Sequence, residues 1–496
     1  MISNERRQLL IASGAAVAAG MGAGAARAQA PGKGDAASAP TLGAAPKGPP
    51  AVPVTHILAR YAATATLAQI PAAVRKEASR TLLNWAGCAV GGSQQDAPAH
   101  AVAALKPFSG PAQASLFGRK ERLDAMQAAL VNGISSHVLD YDDTHLKTII
   151  HPAGPIAAAL TAFAEYRPVS GADFMNALVL GCEIECRLGN SVYPEHYAMG
   201  WHITGTTGVF GAAAAVGRLL KLDEQHMAWA LGNAASQPVG LKVQFGSDTK
   251  SFHPGKAAQN GMLSALLAQQ GYTASEVAIE GFDGWGQAMS TRHDWTEVTR
   301  GLGEQYELGL NTYKPFACGI VAHPAIDAAI QLRAANAFRP EQIAAVELKA
   351  HALTLNLMGK TEPRTGLEGK FSIYHATAVA LVTGRGGDQA FRDSAVNDPV
   401  VVAVRKKVVV AVDPSIKPDQ VDMTVTLTDG RKLHLFVEHA VGSQLHPMSD
   451  AQLEEKFSGQ TEGILAAQRS RHLMDVCWKA WELADAGDIG RAAAAT

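Results

Sequence analysis

The side chains able to do chemistry fall into four short stretches of the chain. The first is Asp140-Tyr141-Asp142-Asp143-Thr144-His145, followed closely by His151-Pro152-Ala153-Gly154. The second is Gly200-Trp201-His202-Ile203-Thr204-Gly205-Thr206, and the third is Asp248-Thr249-Lys250-Ser251-Phe252-His253-Pro254-Gly255-Lys256. The fourth joins Tyr313-Lys314-Pro315 and His323-Pro324 to Phe371-Ser372-Ile373-Tyr374-His375. Most adjoin Gly or Pro, which predicts helix ends and loops, where side chains from distant segments can converge.

These residue types suit proton transfer next to a carboxylate. Removing a proton α to a carboxylate needs a positioned base, and nearby cations must stabilise the aci-carboxylate that forms. Histidine and a lysine of lowered pKa can be bases, while other lysines and Thr or Tyr hydroxyls can hold substrate carboxylates. Elimination also needs an acid for the departing hydroxyl, a role for His or Tyr. Each residue alone has a plainer reading. A single histidine can cap a helix or fill a core, Asp142-Asp143 can be a cap or solvated turn, and Lys250 and Lys256 can be solvated. Asp140, Asp142, Asp143 and His151 could also hold a divalent cation, but no second carboxylate pair completes that set. The clustering carries the argument.

Missing motifs narrow the field. The chain has no G-x-G-x-x-G after a strand, no Walker loop and no G-x-S-x-G elbow. The glycine-rich run from Gly205 to Gly211 has a spacing suited to close helix packing. Cys88, Cys182, Cys186, Cys318 and Cys477 lack zinc or iron–sulfur spacing. Cys182 and Cys186 share a helix face and read as small core residues. Five cysteines also rule out a disulfide-rich framework and leave at least one thiol unpaired. An acid/base enzyme with no cofactor and no metal is the chemistry left.

The elements that must position these groups are mainly helical. Ser170 to Asp173 is a capping box ahead of Phe174, Ala177, Leu178, Gly181 and Cys182, which predicts a helix reaching Gly189-Asn190. A second helical pattern runs from Leu219 to Ala234, with Asp223 as its cap. Helix follows helix from about Val54 to Arg300, and then the texture changes. Val346 to Ala350 alternates, Val408 to Val412 is mostly β-branched, and two alternating runs flank Thr428-Asp429-Gly430-Arg431, a hairpin signal. Ser449 and Gln452 predict a further capping box. The expected fold is mainly α with a second, smaller α+β domain: a helical domain over residues 54–304 and 441–490, and an α+β lid over 305–440.

Length, composition and charge agree with this plan. At about 150 residues per domain, 496 residues suggest two or three domains. Scarce aromatics (6%) and 48 glycines favour closely packed helices. With 43 basic against 45 acidic residues, nothing favours nucleic-acid binding. At the N-terminus Arg6-Arg7 precede an uncharged run from Leu9 to Ala25, and Ala28-Gln29-Ala30 offers a cleavage site. Residues 1–30 thus read as a twin-arginine type signal peptide and 31–53 as a flexible linker. Export to the periplasm is the expectation, with no membrane attachment after the signal is removed.

Together these stretches resemble the MmgE/PrpD family over about residues 58–481. Asn84-Trp85-Ala86-Gly87, Leu139 to Thr144, His151-Pro152, Gly200-Trp201-His202 with Gly205-Thr206, and Thr249-Lys250 with His253-Pro254-Gly255 carry the likeness. Lys314-Pro315, His323 to Asp327, Lys370-Phe371-Ser372 and Pro447 to Asp450 extend it. The resemblance implies a helical domain with an α+β lid, a homodimer, and a lyase or isomerase that needs no metal or organic cofactor. The activities it implies are 2-methylcitrate dehydration, cis-aconitate decarboxylation or iminodisuccinate epimerisation, all on small di- or tricarboxylates. Asp140, Thr144, His151, His202, Lys250, Lys314 and Tyr374 fall on active-site positions of the decarboxylase branch. There Lys250 and Lys314 would hold carboxylates, His151 or His202 would move the proton, and Tyr374 would line the lid side. Asp140 and Thr144 would orient the histidine or bind substrate, with His253 and His323 as further substrate-binding candidates. Two departures stand out: the segment from Thr144 to His151 is one residue longer, and Gly319 replaces a histidine five residues beyond the lid lysine. The first bears on the placement of His151; the second tilts the reading towards dehydration or isomerisation.

Overall fold

The computed structural model describes residues 52–495; the stretches read from sequence as signal peptide and, for nearly all of its length, linker lie outside the described residues. Helices of ten residues or more are α1 Val54–Thr64, α2 Ala72–Gly92, α3 Asp96–Leu105, α4 Ala125–His137, α5 Ala153–Tyr166, α6 Gly171–Val192 and α7 Ile203–Leu219. They continue as α8 Glu224–Ala235, α9 Asp248–Gln269, α10 His323–Ala335, α11 Ile373–Thr383, α12 Asp450–Thr461 and α13 Ala467–Trp478. The strands are β1 Ala114–Ser115, β2 Arg122–Leu123, β3 Asp143–His145, β4 Asn311–Tyr313, β5 Ile343–Ala350, β6 Val408–Val412, β7 Val421–Leu427 and β8 Lys432–Val437. The fold is mainly α with an added α+β region, as the sequence predicts.

Local chemistry explains the boundaries. Ser170 accepts the Asp173 amide and starts α6, and Asp223 accepts the His226 amide and starts α8. The pattern read from Leu219 therefore spans two helices: Leu219 closes α7, and α8 begins at Glu224. Ser449 and Gln452 form the reciprocal box that opens α12. The Asp-Gly hairpin joins β7 to β8, with Gly430 at φ +89° and the Leu427 amide donating to Arg431 O. The four-stranded sheet has the order β6-β5-β7-β8, and β6 runs parallel to β5.

The expectation of unbroken helices up to Arg300 needs correction. Beyond α9 only the short helices Trp285–Met289 and Thr296–Thr299 form. Gly271 and Gly301 adopt positive φ, and Gly281, Gly284 and Gly286 interrupt the periodicity between them. Strand β3 is also absent from the sequence reading, because three residues are too few to show alternation.

Packing fixes the site's framework. At the α4–α9 crossing a Cβ on Gly133 would lie 2.4 Å from Gly255 Cα, and one on Gly255 would lie 2.3 Å from Leu130 O. The two backbones touch there, as only glycine allows. From that contact His137 lies one turn further along α4, and Lys250 lies more than one turn before Gly255 on α9. The run Gly205 to Gly211 is used in the same way, for close approach to Val239, Pro155 and Gly181. The C-terminal helices α12 and α13 return to the core built from α2, α4, α5 and α6 through Leu453, Phe457, Leu473 and Cys477.

Candidate active site

Three elements converge on one buried point. Strands β3 and β4 pair antiparallel with Asp143 opposite Tyr313, so the next residue, Lys314, falls beside Asp142 and Asp140. Helix α4 ends at His137 and the chain turns sharply, with Asp140 at φ +51°. That left-handed conformation is unusual for a residue with a side chain, and such strain persists where surroundings impose it. Lys250 enters from the first turn of α9.

The result is a carboxylate shared by two ammonium groups. Lys250 Nζ donates to Asp140 Oδ1 at 2.7 Å, and Lys314 Nζ donates to the same oxygen and to Asp140 O, each at 3.0 Å. Lys250 Nζ also lies 2.9 Å from His137 Nε2, while His137 Nδ1 lies 2.6 Å from Asp142 Oδ2. A charged Lys250 has only protons to offer, so the pattern assigns the His137 proton to Nδ1 and makes an Asp142–His137–Lys250 relay. Burial would raise both carboxyls; Lys250 and Lys314 outweigh it at Asp140, and His137 and His151 outweigh it at Asp142, so both stay low. Burial pulls the Lys250 ammonium down, and Asp140 offsets only part of that. Burial acts on Lys314 too, but there Asp140 and Asp142 prevail and its pKa is raised.

Two imidazoles face this cluster. The His151 Nδ1–H donates to Asp143 O at 2.6 Å, with Thr144 Oγ1 3.3 Å away, and its amide donates to Thr204 Oγ1. His202 shares a hydrogen bond of 2.9 Å between its Nδ1 and that of His253. Among the described residues neither Nε2 has a hydrogen-bond partner. The rings of His137, His151 and His202 lie 4.9–6.3 Å apart by centroid. Burial lowers all of them: His151 and His253 to about 3, and His202 well below the usual range. They are neutral imidazoles at neutral pH, in a site whose positive charge comes from ammonium groups.

The crevice in front of Lys250 is narrow, about 10 Å³ or room for one water, and is lined by His137, Asp140, Ser247, Lys370 and Phe371, among others. Lys370 donates to Ala317 O at 2.9 Å, and burial lowers its pKa. The rings of Phe245 and Phe371 lie 5.3 and 5.4 Å from Lys250 Nζ and give the site an apolar wall.

Of the residues singled out in the sequence, Asp140, Thr144, His151, His202, Lys250, Lys314 and His253 come together here. Lys250, Asp142 and Asp143 are buried, so the solvated-lysine and solvated-turn readings fail for them. His323 opens α10 and lies 3.3 Å from Cys318 O, with burial holding it at about 3. Tyr374 sits elsewhere, in a separate crevice with Arg364, Asn397, Arg405 and Lys406. Above Gly319 the space is filled: a Cβ there would lie 2.3 Å from Met358 Sδ. The sequence reading passed over His137, whose signal is a histidine three residues before Asp140 at the end of an apolar helix. Lys370 was quoted only as part of a motif.

One nitrogen from each of His137, His151 and His202 lies within 4.8 Å of the others, and His137, Asp140, Asp142 and His151 form a second such group. Their chemistry disfavours a cation. Both His137 nitrogens are engaged, Asp140 is held between two ammoniums, and a metal would have to displace Lys250 against the charge of Lys314. Cys182 and Cys186 are buried in the core.

Fold and site together define a helical protein with an α+β extension and a buried cluster of ammonium, carboxylate and imidazole groups beside a narrow crevice. The MmgE/PrpD N-terminal domain matches residues 56–298 and the MmgE/PrpD C-terminal domain matches residues 316–480, so this chain belongs to the MmgE/PrpD family. It is 25% identical over 452 residues to cis-aconitate decarboxylase of Aspergillus terreus, covering 85% of this chain and 92% of the relative. It is 26% identical over 412 residues to cis-aconitate decarboxylase of Mus musculus, covering 78% and 82%. With 2-methylcitrate dehydratase of Cupriavidus necator it shares 23% over 369 residues, covering 67% and 74%.

Proposed function

We propose that this chain is a cofactor-independent lyase, a hydro-lyase acting on a small hydroxy-polycarboxylate of the 2-methylcitrate type. The observation that carries the reading is Asp140 bridging Lys250 and Lys314 beneath two imidazoles whose Nε2 atoms are free. A substrate carboxylate takes the place of Asp140 on one or both ammoniums. They stabilise the charge that moves onto it when the neighbouring C–H is broken. Nε2 of His151, whose own proton sits on Nδ1, accepts that proton, and His202, with Nδ1 accepting from His253 and its proton on Nε2, supplies one to the departing hydroxyl, which leaves as water as the double bond forms. The Asp142–His137 pair holds Lys250 in place throughout.

A decarboxylase is the second reading, supported by relatives named for that activity. Gly319 favours the first. The histidine that the decarboxylase branch implies there is missing, and Met358 fills its place with a group that carries no proton. Purified protein with 2-methylcitrate, citrate, cis-aconitate and iminodisuccinate, followed by NMR in deuterated water, separates the possibilities. Loss of water supports the hydro-lyase, release of carbon dioxide the decarboxylase, and deuterium uptake with inversion an epimerase. Tight binding without any of these would mean a carboxylate-binding protein. Activity is expected to survive a chelator; loss that a divalent metal restores would overturn the metal-free mechanism. The twin-arginine type pattern read in residues 1–30 supports the periplasm as the site of this chemistry, and the N-terminus of protein recovered from that compartment tests it.

A further inference from the structure

Beside the acidic loop lies a buried cation that the mechanism does not use. Lys456, in the second turn of α12, donates from Nζ to Tyr141 O at 2.6 Å and to Asn84 Oδ1 at 2.7 Å. The same Nζ lies 4.0 Å from the centre of the Tyr141 ring. Both of its hydrogen-bond acceptors are neutral, an amide and a peptide oxygen. A buried ammonium served only by neutral acceptors is unfavourable unless the structure gains from it elsewhere.

Its partner shows where the gain lies. Tyr141 joins Asp140, held in the left-handed region, to Asp142, the outer member of the relay to Lys250. The helix that carries Lys456 is itself fixed. Arg80 bonds Asp450 and Met448 O at its start, Gln460 meets Cys88, and the small residues Gly87 and Gly91 let α2 approach Phe457 and Gln460. We propose that Lys456 is a positioning residue, whose ammonium fixes the Tyr141 carbonyl and thereby the turn that aims Asp140 at Lys250 and Lys314. The structural argument is independent of the reaction; its kinetic consequence rests on the lyase reading.

The test uses the full chain with Lys456→Met, which removes the donor, and Lys456→Gln, which keeps one. Amide hydrogen exchange of residues 139–145 in the unliganded protein is expected to speed up about tenfold or more in K456M and less in K456Q. Exchange in the rest of α2 and α12 should stay near wild type. Turnover of whichever carboxylate the wild type consumes should fall by about 30-fold or more in kcat for K456M, with partial recovery in K456Q. Unchanged exchange in the loop, or loosening spread evenly over α2 and α12, would overturn the proposal. If K456M does not fold, K456Q against wild type carries the same comparison. A wild type that turns over none of the carboxylates sinks the lyase reading alone, because the exchange result still decides the role of Lys456.

Discussion

At Asp140 one carboxylate neutralises two buried ammoniums, and its removal tests how the site is held. Breaking a buried ion pair from one side leaves uncompensated charge, which destabilises a protein by about 3–5 kcal/mol. Asp140→Ala is therefore expected to lower stability by that order in chemical denaturation; a change under about 1 kcal/mol would mean the lysines are not coupled to it. Lys250→Ala and His202→Ala should leave the fold intact and lower kcat by about 10²–10⁴, the usual worth of a positioned charge at a developing anion for the first and of a proton-transfer group for the second. Wild-type rates in both would remove the site. Binding a polyanion beside neutral imidazoles must raise their pKa values, so substrate binding should take up protons. Calorimetry in two buffers of different ionisation enthalpy measures this, and no buffer dependence would contradict it.

The elements matter because they bring these groups within 3 Å of one another. Gly255→Ala would push a methyl group against Leu130 O and separate α4 from α9. Overpacking of this kind destabilises by about 1–3 kcal/mol, and turnover should fall too, since His137 and Lys250 lie on the two helices being parted. Gly459→Ala in α12, where nothing lies within 4 Å of the added methyl, is the control and should stabilise by about 0.5–1 kcal/mol. Equal effects in the two variants would mean that the crossing is not tight. Much of this level was legible in the sequence: the caps at Ser170, Asp223 and Ser449 start helices, and the Asp429-Gly430 hairpin forms. The β3–β4 pairing was not legible, because three-residue strands joined across 165 positions leave no local periodicity. So the sequence grouped Lys314 with Asp140 by residue type and resemblance, whereas the pairing supplies the physical cause. His137 was missed for a related reason: a histidine ending an apolar helix looks like core until the turn at Asp140 folds back over it.

Over the whole molecule, buried titratable groups make stability depend on pH. Seven histidines, His137, His151, His196, His202, His253, His323 and His375, are lowered by burial. The folded protein refuses protons that the unfolded chain binds below about pH 6.5, so each contributes stability present above that pH and lost on acidification. The slope is about 1.4 kcal/mol per pH unit for each unmatched proton. Four carboxyls act oppositely. Burial raises Glu77 and Glu185, and lifts Asp143 and Glu183 to about 7; their contribution is present in acid and lost as pH rises. The histidines outnumber them, so the unfolding temperature should peak near pH 6.5–7 and fall towards pH 4.5. A flat or rising midpoint over that range would contradict this balance. At the same scale, the second crevice beside Tyr374, Arg364 and Arg405 is the rival place for an anionic ligand.

A crystal structure with an unreactive tricarboxylate bound decides between the two crevices and tests the central claim most directly. The expected result is a ligand carboxylate within about 3 Å of Lys250 Nζ or Lys314 Nζ, with the adjacent carbon facing Nε2 of His151 or His202. Ligand seated only against Arg364, Arg405 and Tyr374, with Asp140 still bridging both lysines, would contradict it.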